Sequence, residues 1–597
     1  MRASAGGLLA ISLLVASTQV FASKTSKKTC KCLPGDSCYP STKQWSQFSS
    51  TLSHPLIANQ RPPASVCYPN SPNFSASACA TATANENNAI YLAGLPNAAQ
   101  YVNFEALING TSIQDCPYDV TNSTTCFQGR VPPVAVNVST IADIQKSVKF
   151  ASQHNLRLVV RNSGHELMGR SLGVGALELF THNLQDLQFF DNFVPTGAPR
   201  GTQGQFAVTM GAGISWNTAY SEANKHNRSL PGGLSPHGTV GAAGGWQLGG
   251  GHSALSRYFG LGVDNALQFT VVLPNGSFVT ANQFMNKDLF WSLRGGGGPS
   301  FGIVVSTTVK THPNPPYTAF FYIATGNSTE AYIDLLETWN KYHNALSDSG
   351  WSGVWPFFGN SLFLTMLAQG TPPAPAANAT MLAFVNATKA LPGVNITTSM
   401  SVYYPNFQAF NFDNLVDSSR GFGFNFTAAV PGPPHSVTSS WLLPRNLTAP
   451  ANARQVAEIY ANLTGGVAYM VGGGPVATQD PSTVAVTPAW RNIVSDLVLL
   501  PTGPGLPPAT TADVPAIRQT LFDQMQTFRQ LAPPPIGGQY LNEPDYLEVK
   551  WQDAYWGPNY PRLLSIKKSI DPNDLLIVRH GVNSENWDDE IICKTVS

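Results

Sequence analysis

Three glycine-rich turns, each set against a short apolar run, limit the folds open to this chain more than any other feature. The first follows Leu156-Arg157-Leu158-Val159-Val160 and reads Arg161-Asn162-Ser163-Gly164-His165. The second fills Pro231 to Gly251, and the third, Arg294-Gly295-Gly296-Gly297-Gly298, runs into Phe301-Gly302-Ile303-Val304-Val305. An ordered glycine gives up more backbone freedom than any other residue, so this density implies positive φ or backbone lying close to a ligand. A strand ending in such a turn presents backbone N–H groups, and here an imidazole, to a phosphate-bearing cofactor. The P-loop pattern is absent, and Gly249-Gly250-Gly251 lacks the strand-to-helix setting of a Rossmann fingerprint. Together the turns suit a long dinucleotide held extended. A flexible linker is the plainer alternative, but the glycines are interleaved with Val240, Trp246 and Leu248 rather than with serine.

Around these turns the elements alternate. Val134–Val138 reads as a strand, Ile141–His154 as a helix with Thr140 as N-cap, and Leu156–Val160 as a strand again. Further on, 206–210 is strand-like, 215–226 helical, and Leu267–Leu273 a strand closed by an Asn275-Gly276 hairpin turn. After Pro313 the composition shifts toward aromatics, with a strand at Thr318–Ile323 and a helix at Glu330–Tyr342. At 597 residues the chain exceeds one ordinary core. We divide it into an export signal (1–22), an irregular disulfide-pinned segment (23–115), a cofactor-binding region (116–312), an inserted second domain (313–510, closing on the prolines of 501–508) and a C-terminal segment (511–597) that completes the cofactor-binding lobe. The aromatic residues Trp351, Trp355, Phe357, Phe358, Tyr403 and Tyr404 read as sheet core, with a substrate wall as the alternative.

Formal net charge is zero and only 11% of residues are charged, so neither nucleic acid nor a membrane surface is an expected partner. Arg2, the apolar run Leu8–Ala16 and Val20-Phe21-Ala22 read as an export signal, which implies a secreted, extracellular protein. Thirteen Asn-x-Ser/Thr sequons and eight cysteines agree with that compartment. Seven cysteines precede residue 130 and one is Cys593, so Cys30 or Cys32 is expected to pair with Cys593 and staple the termini. Cys30-x-Cys32 has no histidine cluster to make it a metal site, and no metal is expected.

The turn at 161–165, the block from Gly238-Thr239-Val240-Gly241 through Gly249-Gly250-Gly251 to Tyr258-Phe259-Gly260-Leu261-Gly262-Val263-Asp264, and Arg294–Gly298 resemble the FAD-binding domain of the vanillyl-alcohol oxidase superfamily. Tyr540-Leu541-Asn542 and Tyr555-Trp556-Gly557-Pro558-Asn559-Tyr560 are similar to the C-terminal segment of berberine-bridge-enzyme-like oxidases. Cys30–Cys38 resembles a secreted fungal branch that includes isoamyl alcohol oxidase. The resemblance spans about 30–310 and 535–590. It implies an α+β, two-lobed PCMH-type fold with an inserted substrate domain, an antiparallel sheet covered by helices.

It also implies FAD held by Arg161, Asn162, Ser163, Gly164, His165, Gly169, Arg170, Ser171, Gly238, Thr239, Val240, Gly241, Gly244, Gly245, Gly249, Gly250, Gly251, Val263, Asp264, Ile303, Tyr540 and Asn542, with an 8α-histidyl bond to His165. The second covalent link of the berberine-bridge pattern needs a cysteine where this chain has His237, so a single link is expected, with His237 possible in the cavity wall. Val240 stands where the family controls oxygen access and favours oxidase over dehydrogenase. The resemblance implies a monomer that oxidises a small-molecule alcohol with molecular oxygen, giving hydrogen peroxide. Carbohydrate oxidation and a catalytically silent binding protein are the alternatives. Tyr540, Asn542 and His237 are the catalytic candidates, Tyr540 leading as base and Glu543 in reserve. A phenol with pKa near 10 serves as base at neutral pH only if that value is lowered or a cation stands beside it.

Overall fold

The computed structural model describes residues 1, 30–110, 112–121, 124–416, 436–501 and 510–595. The rest of the export signal, the sequons at Asn122 and Asn425, and 502–508 of the proline-rich boundary lie outside the described residues.

The cofactor-side lobe opens on strand β1 (Ile57–Ala58), followed by β2 (Val134–Asn137), helix α1 (Ile141–Gln153), β3 (Leu158–Arg161) and β4 (Leu177–Phe180). Thr140 caps α1 as expected: its hydroxyl accepts from Asp143 N at 3.2 Å while the Asp143 carboxylate accepts from Thr140 N at 3.0 Å. Such a reciprocal cap contributes about 1 kcal/mol. The sheet runs β1-β2-β4-β3, with both β2–β4 and β3–β4 parallel. Parallel strands of one sheet need a crossover, and α1 supplies the one from β2 to β3, which flank β4, burying Ile144 and Val148 in the same core as Leu158 and Leu177.

A second sheet of five antiparallel strands follows. Its members are β5 (Leu187–Phe193), β6 (Gln205–Gly211), β7 (Ala266–Val272), β8 (Phe278–Asn282) and β9 (Ile303–Lys310), in the order β8-β7-β9-β6-β5. Gly276, at φ 83°, turns the β7–β8 hairpin as its sequence requires.

The inserted lobe is one seven-stranded antiparallel sheet: β10 (Tyr317–Gly326), β11 (Ser352–Phe358), β12 (Ser361–Gln369), β13 (Val394–Tyr404), β14 (Ser439–Pro444), β15 (Gly466–Met470) and β16 (Ile493–Leu499), ordered β13-β10-β12-β11-β15-β16-β14. Helices α2 (Thr329–Ser349), α3 (Pro375–Lys389), α4 (Ala453–Ala461) and α5 (Val514–Leu531) contribute to the core on one face, which includes Trp339, Trp355, Phe384, Tyr460 and Phe528; α5 thus packs into the inserted lobe and not, as expected of 511–597, into the cofactor-side lobe, because its apolar face of Leu521, Met525 and Phe528 is buried there. Strand alternation divides β12: Leu364 and Met366 join that core, while Thr365 and Leu367 face the other way, into a cavity shared with the first lobe. Trp351, Trp355, Phe357 and Phe358 are buried core, Tyr404 is buried and Tyr403 exposed, so this aromatic set builds no substrate wall. No helix among the described residues is long and apolar enough to cross a membrane.

Four disulfides pin the outside. Cys32–Cys38, Cys67–Cys79 and Cys116–Cys126 are local, and Cys30 is the cysteine that joins Cys593. Lys31 N donates to Ile592 O at 2.8 Å beside that bridge. Because the bridge spans 563 residues, it restricts the unfolded chain strongly. Cys593→Ser should therefore lower the free energy of unfolding by about 2–5 kcal/mol, read as a shift in the urea midpoint.

Candidate active site

Between the lobes lies one cavity enclosing about 1550 Å³ of space, its open mouth included. The first turn forms one wall. In β3 the side chains alternate, so Val160 and Asn162 face the cavity while Arg161 points away. Arg161 is fully buried, and its guanidinium donates to Leu92 O at 2.9 Å and to Leu95 O, tying the disulfide-pinned segment to the strand. Ser163, Gly164, His165, Arg170 and Ser171 line the cavity.

Gln100, from the segment before the cofactor-binding region, clamps this turn. Its backbone N donates to Gly164 O at 3.2 Å and its side-chain Nε2 to Ser163 O at 3.0 Å. A carbonyl cannot donate, so that contact fixes the amide and leaves Oε1 facing His165 Nδ1 at 3.1 Å and the Thr239 hydroxyl at 2.9 Å. Nδ1 of the free imidazole therefore carries the proton. Burial lowers the His165 pKa to about 4, so the ring is neutral at any ordinary pH. The Tyr101 hydroxyl lies 3.3 Å from Nε2. The sequence reading missed both Gln100 and Tyr101, because nothing in an irregular, serine-rich segment marks a residue that meets a loop more than sixty positions away.

The second turn supplies room. Val240, Gly241, Gly244 and Gly245 line the cavity, and a Cβ on Gly245 would meet nothing within 4 Å. Gly249, Gly250 and Gly251 stand one layer behind. A Cβ on Gly249 would lie 2.2 Å from the Asn542 carboxamide, and one on Gly251, at φ 71°, 2.7 Å from the Trp246 indole. These three make space for side chains. Gly169, Gly238 and Thr239 are likewise outside the lining, as are Val263, packed with Tyr540 and Trp490, and Asp264, which forms a buried bidentate pair with Arg491 at 2.8 and 2.9 Å. Ile303 does line the cavity. His237 does not: with φ 60° it sits in a separate surface depression beside Asn88 and Ile90.

These residues fit FAD on their own geometry. Both amide atoms of Asn162 are buried at the wall without a hydrogen-bond partner, as is Nη2 of Arg170, and a dinucleotide offers such groups partners. The remaining Arg170 nitrogens donate to Arg579 O at 3.1 Å and Leu541 O at 2.9 Å, which ties the C-terminal segment to this wall.

That segment carries Tyr540, Asn542 and Glu543 to the cavity. Asn542 Nδ2 donates to Gly245 O at 3.2 Å and to the Tyr540 hydroxyl oxygen at 2.9 Å. The condition for Tyr540 as base is not met. Burial, then the charge of Glu543, pushes its pKa well up, so it is a protonated phenol able to donate.

Three further ionisable groups lie beside it. His252 Nε2 lies 3.2 Å from Glu543 Oε1, and one ligand atom each of His252, Glu543 and Asp496 falls within a mutual 4.8 Å. Asp496 is fully buried in β16, and burial, followed by the Glu543 charge, raises its pKa far above the carboxylate range. Its oxygens, like Oε2 of Glu543, meet no donor among the described residues, an arrangement that a proton held between the two carboxyls would satisfy. Two sequence signals pointed here: His252 follows a glycine triplet as His165 follows Gly164, and Asp496 interrupts the apolar run Ile493–Leu499.

Comparison with known proteins agrees with this geometry. Residues 132–282 match the family described as FAD binding domain, and 539–583 the family described as berberine and berberine like. An uncharacterized FAD-linked oxidoreductase of Arthroderma benhamiae is 34% identical over 587 residues, covering 95% of this chain and 96% of that protein. The flavin-dependent oxygenase ucdF of Aspergillus ustus is 32% identical over 576 residues, covering 92% and 99%. The crystal structure of the VAO-type flavoprotein MtVAO615 from Myceliophthora thermophila C1 superposes with a TM-score of 0.82 at 28% identity, covering 95% of this chain and 100% of the other.

Because Gly245 faces open space, Gly245→Val should leave the apoprotein folded, with its melting temperature within a few degrees, yet reduce bound flavin at least tenfold by absorbance at 450 nm.

Proposed function

The chain belongs to the berberine-bridge-like FAD-linked oxidoreductases of the vanillyl-alcohol oxidase superfamily, and from that premise we propose that it is a secreted oxidase of alcohols, carrying FAD on His165 through a single covalent bond. The observation that carries this reading is the continuity of one cavity from the His165 turn to the His252–Glu543–Asp496 cluster. When bound, FAD supplies the acceptor for a hydride and passes the electrons to oxygen. The residues do the rest. Asn162 and Arg170 hold the cofactor's polar body, and Gly244 and Gly245 leave it room. Burial keeps His165 neutral, and Gln100 holds it oriented for attachment.

At the other end the Tyr540 hydroxyl donates to the substrate oxygen, with Asn542 fixing the phenol. Glu543, hydrogen-bonded to His252, accepts the hydroxyl proton as the C–H bond breaks. Asp496 is a positioning residue, since its retained proton orients the Glu543 carboxylate. His237 has no part in these steps. Val240 in the lining fits access for oxygen, and four disulfides fit an oxidising compartment outside the cell. A specific kinship to isoamyl alcohol oxidase rests on the Cys30–Cys38 resemblance alone.

Acid precipitation tests the attachment. Flavin should stay in the pellet for the unaltered protein and move to the supernatant for His165→Ala; Gln100→Leu should bind flavin but retain only a minor fraction in the pellet. Retention by His165→Ala would refute that anchor. For the chemistry, Glu543→Gln should slow anaerobic flavin reduction by about 10²–10⁴-fold, and Tyr540→Phe by roughly tenfold or less. The reverse order would restore Tyr540 as the base.

A further inference from the structure

An edge strand presents unpaired N–H and C=O groups to any strand that approaches it, and proteins blunt such edges with short strands, charges, bulges or a covering segment. In the larger sheets here all edges but one are blunted. β1 and β3 bound the four-stranded sheet and are two and four residues long. In the five-stranded sheet β8 has five residues, and β5 carries Asp191 and a register shift between Phe190 and Phe193. β14 ends the seven-stranded sheet under the C-terminal segment: Leu442 N donates to Gly538 O at 2.8 Å and Gln539 Nε2 to Ser440 O at 3.2 Å.

β13, at the other end of that sheet, is the exception. Its eleven residues, Val394–Tyr404, include no proline and no charged side chain. One side pairs with β10, and no backbone hydrogen bond joins 395–403 to any other described segment. Ser399, Ser401 and Tyr403 are exposed. A single register shift leaves Thr397 as an extra residue, and over 398–404 the strand runs unbroken opposite 317–323 of β10. An uncharged, exposed run in steady register is a template for the same strand of a second copy.

The strand carries one further feature, the sequon Asn395-Ile396-Thr397. Asn395 is exposed and its carboxamide makes no hydrogen bond to the described residues, whereas the Nδ2 atoms of the sequon residues Asn73 and Asn462 donate to Ser65 Oγ and Glu458 O, each at 2.8 Å. We propose that Asn395 bears an N-linked glycan, and that this glycan keeps β13 from pairing with β13 of a second copy. In the attachment the Asn395 nitrogen bonds to the anomeric carbon of a lipid-pyrophosphate-linked oligosaccharide of the secretory route. The carbon–oxygen bond to the pyrophosphate breaks, the nitrogen loses one proton, and nothing is oxidised or reduced. Strand pairing brings backbones to about 4.8 Å, and a bulky hydrated sugar rooted on the strand excludes that approach. Neither the cavity nor the flavin takes part.

The test uses the full chain secreted from a eukaryotic host. Enzymatic glycan release should convert Asn395 to aspartate in the peptide mass spectrum. Asn395→Gln should fold, by circular dichroism and flavin content, yet light scattering after size exclusion should show larger species than the unaltered protein forms at the same concentration. Thr397→Val removes the same sequon, keeps a β-branched residue and should behave likewise, so that a folding failure of one variant leaves the other to decide. Adding Ser399→Lys to either should restore the mass of the unaltered protein, because a charge on an edge strand opposes pairing. An Asn395 without glycan, a sequon-less variant that gains no mass, or association that Ser399→Lys does not reverse overturns the proposal.

Discussion

The Asn542 carboxamide occupies the space that a side chain on residue 249 would need, and the active-site end of the molecule depends on that exchange. A Cβ at 249 would come within 2.2 Å of the amide, and the neighbouring turn offers Gly245 O as its acceptor. With the amide seated, Tyr540 is fixed from one side and Glu543 is carried to His252. The bare backbone of the glycine triplet is therefore a receptacle for the C-terminal segment rather than for the cofactor. Arg170 reinforces the arrangement by donating to Leu541 O from the cofactor wall.

The same physics, a polar group withheld from water until it finds one specific partner, runs through the rest of the site. Asp496 sits in the interior of an apolar strand, where a lone carboxylate would be very costly, and it answers by keeping its proton. That proton satisfies Glu543 on one side and leaves it to His252 on the other. At the far end, burial strips His165 of its charge and Gln100 settles which nitrogen carries the hydrogen. Tyr540 obeys the same rule to opposite effect. The environment that positions its hydroxyl also raises its pKa, which makes it a donor.

The two lobes contribute different things. The cofactor-side lobe gives loops, glycines and a few unpartnered polar atoms shaped for a dinucleotide. The inserted lobe gives a broad sheet whose helix-facing side is packed with aromatics and whose other side gives the cavity Val354, Thr365, Leu367 and Tyr469. Chemistry and substrate choice are thus separable in sequence, with the acid of β16 the point where they meet.

Local information settled much of this in advance. The Thr140 cap, the Asn275-Gly276 hairpin and the strand leading into the His165 turn are written in near neighbours, so their physics is contained in a few consecutive residues. Residues 161–165 and 540–542 could be recognised as site-forming, yet which of them face the cavity could not: Arg161 turns away to donate to Leu92 O, and His237 lies in a separate surface depression. The choice of Cys30 over Cys32, the clamp by Gln100, the proton held by Asp496 and the cavity lining at Val354 and Leu367 were decided by tertiary structure alone. Each depends on burial or on a partner far along the chain, and neither the local dielectric nor a distant neighbour is encoded in the residues on either side.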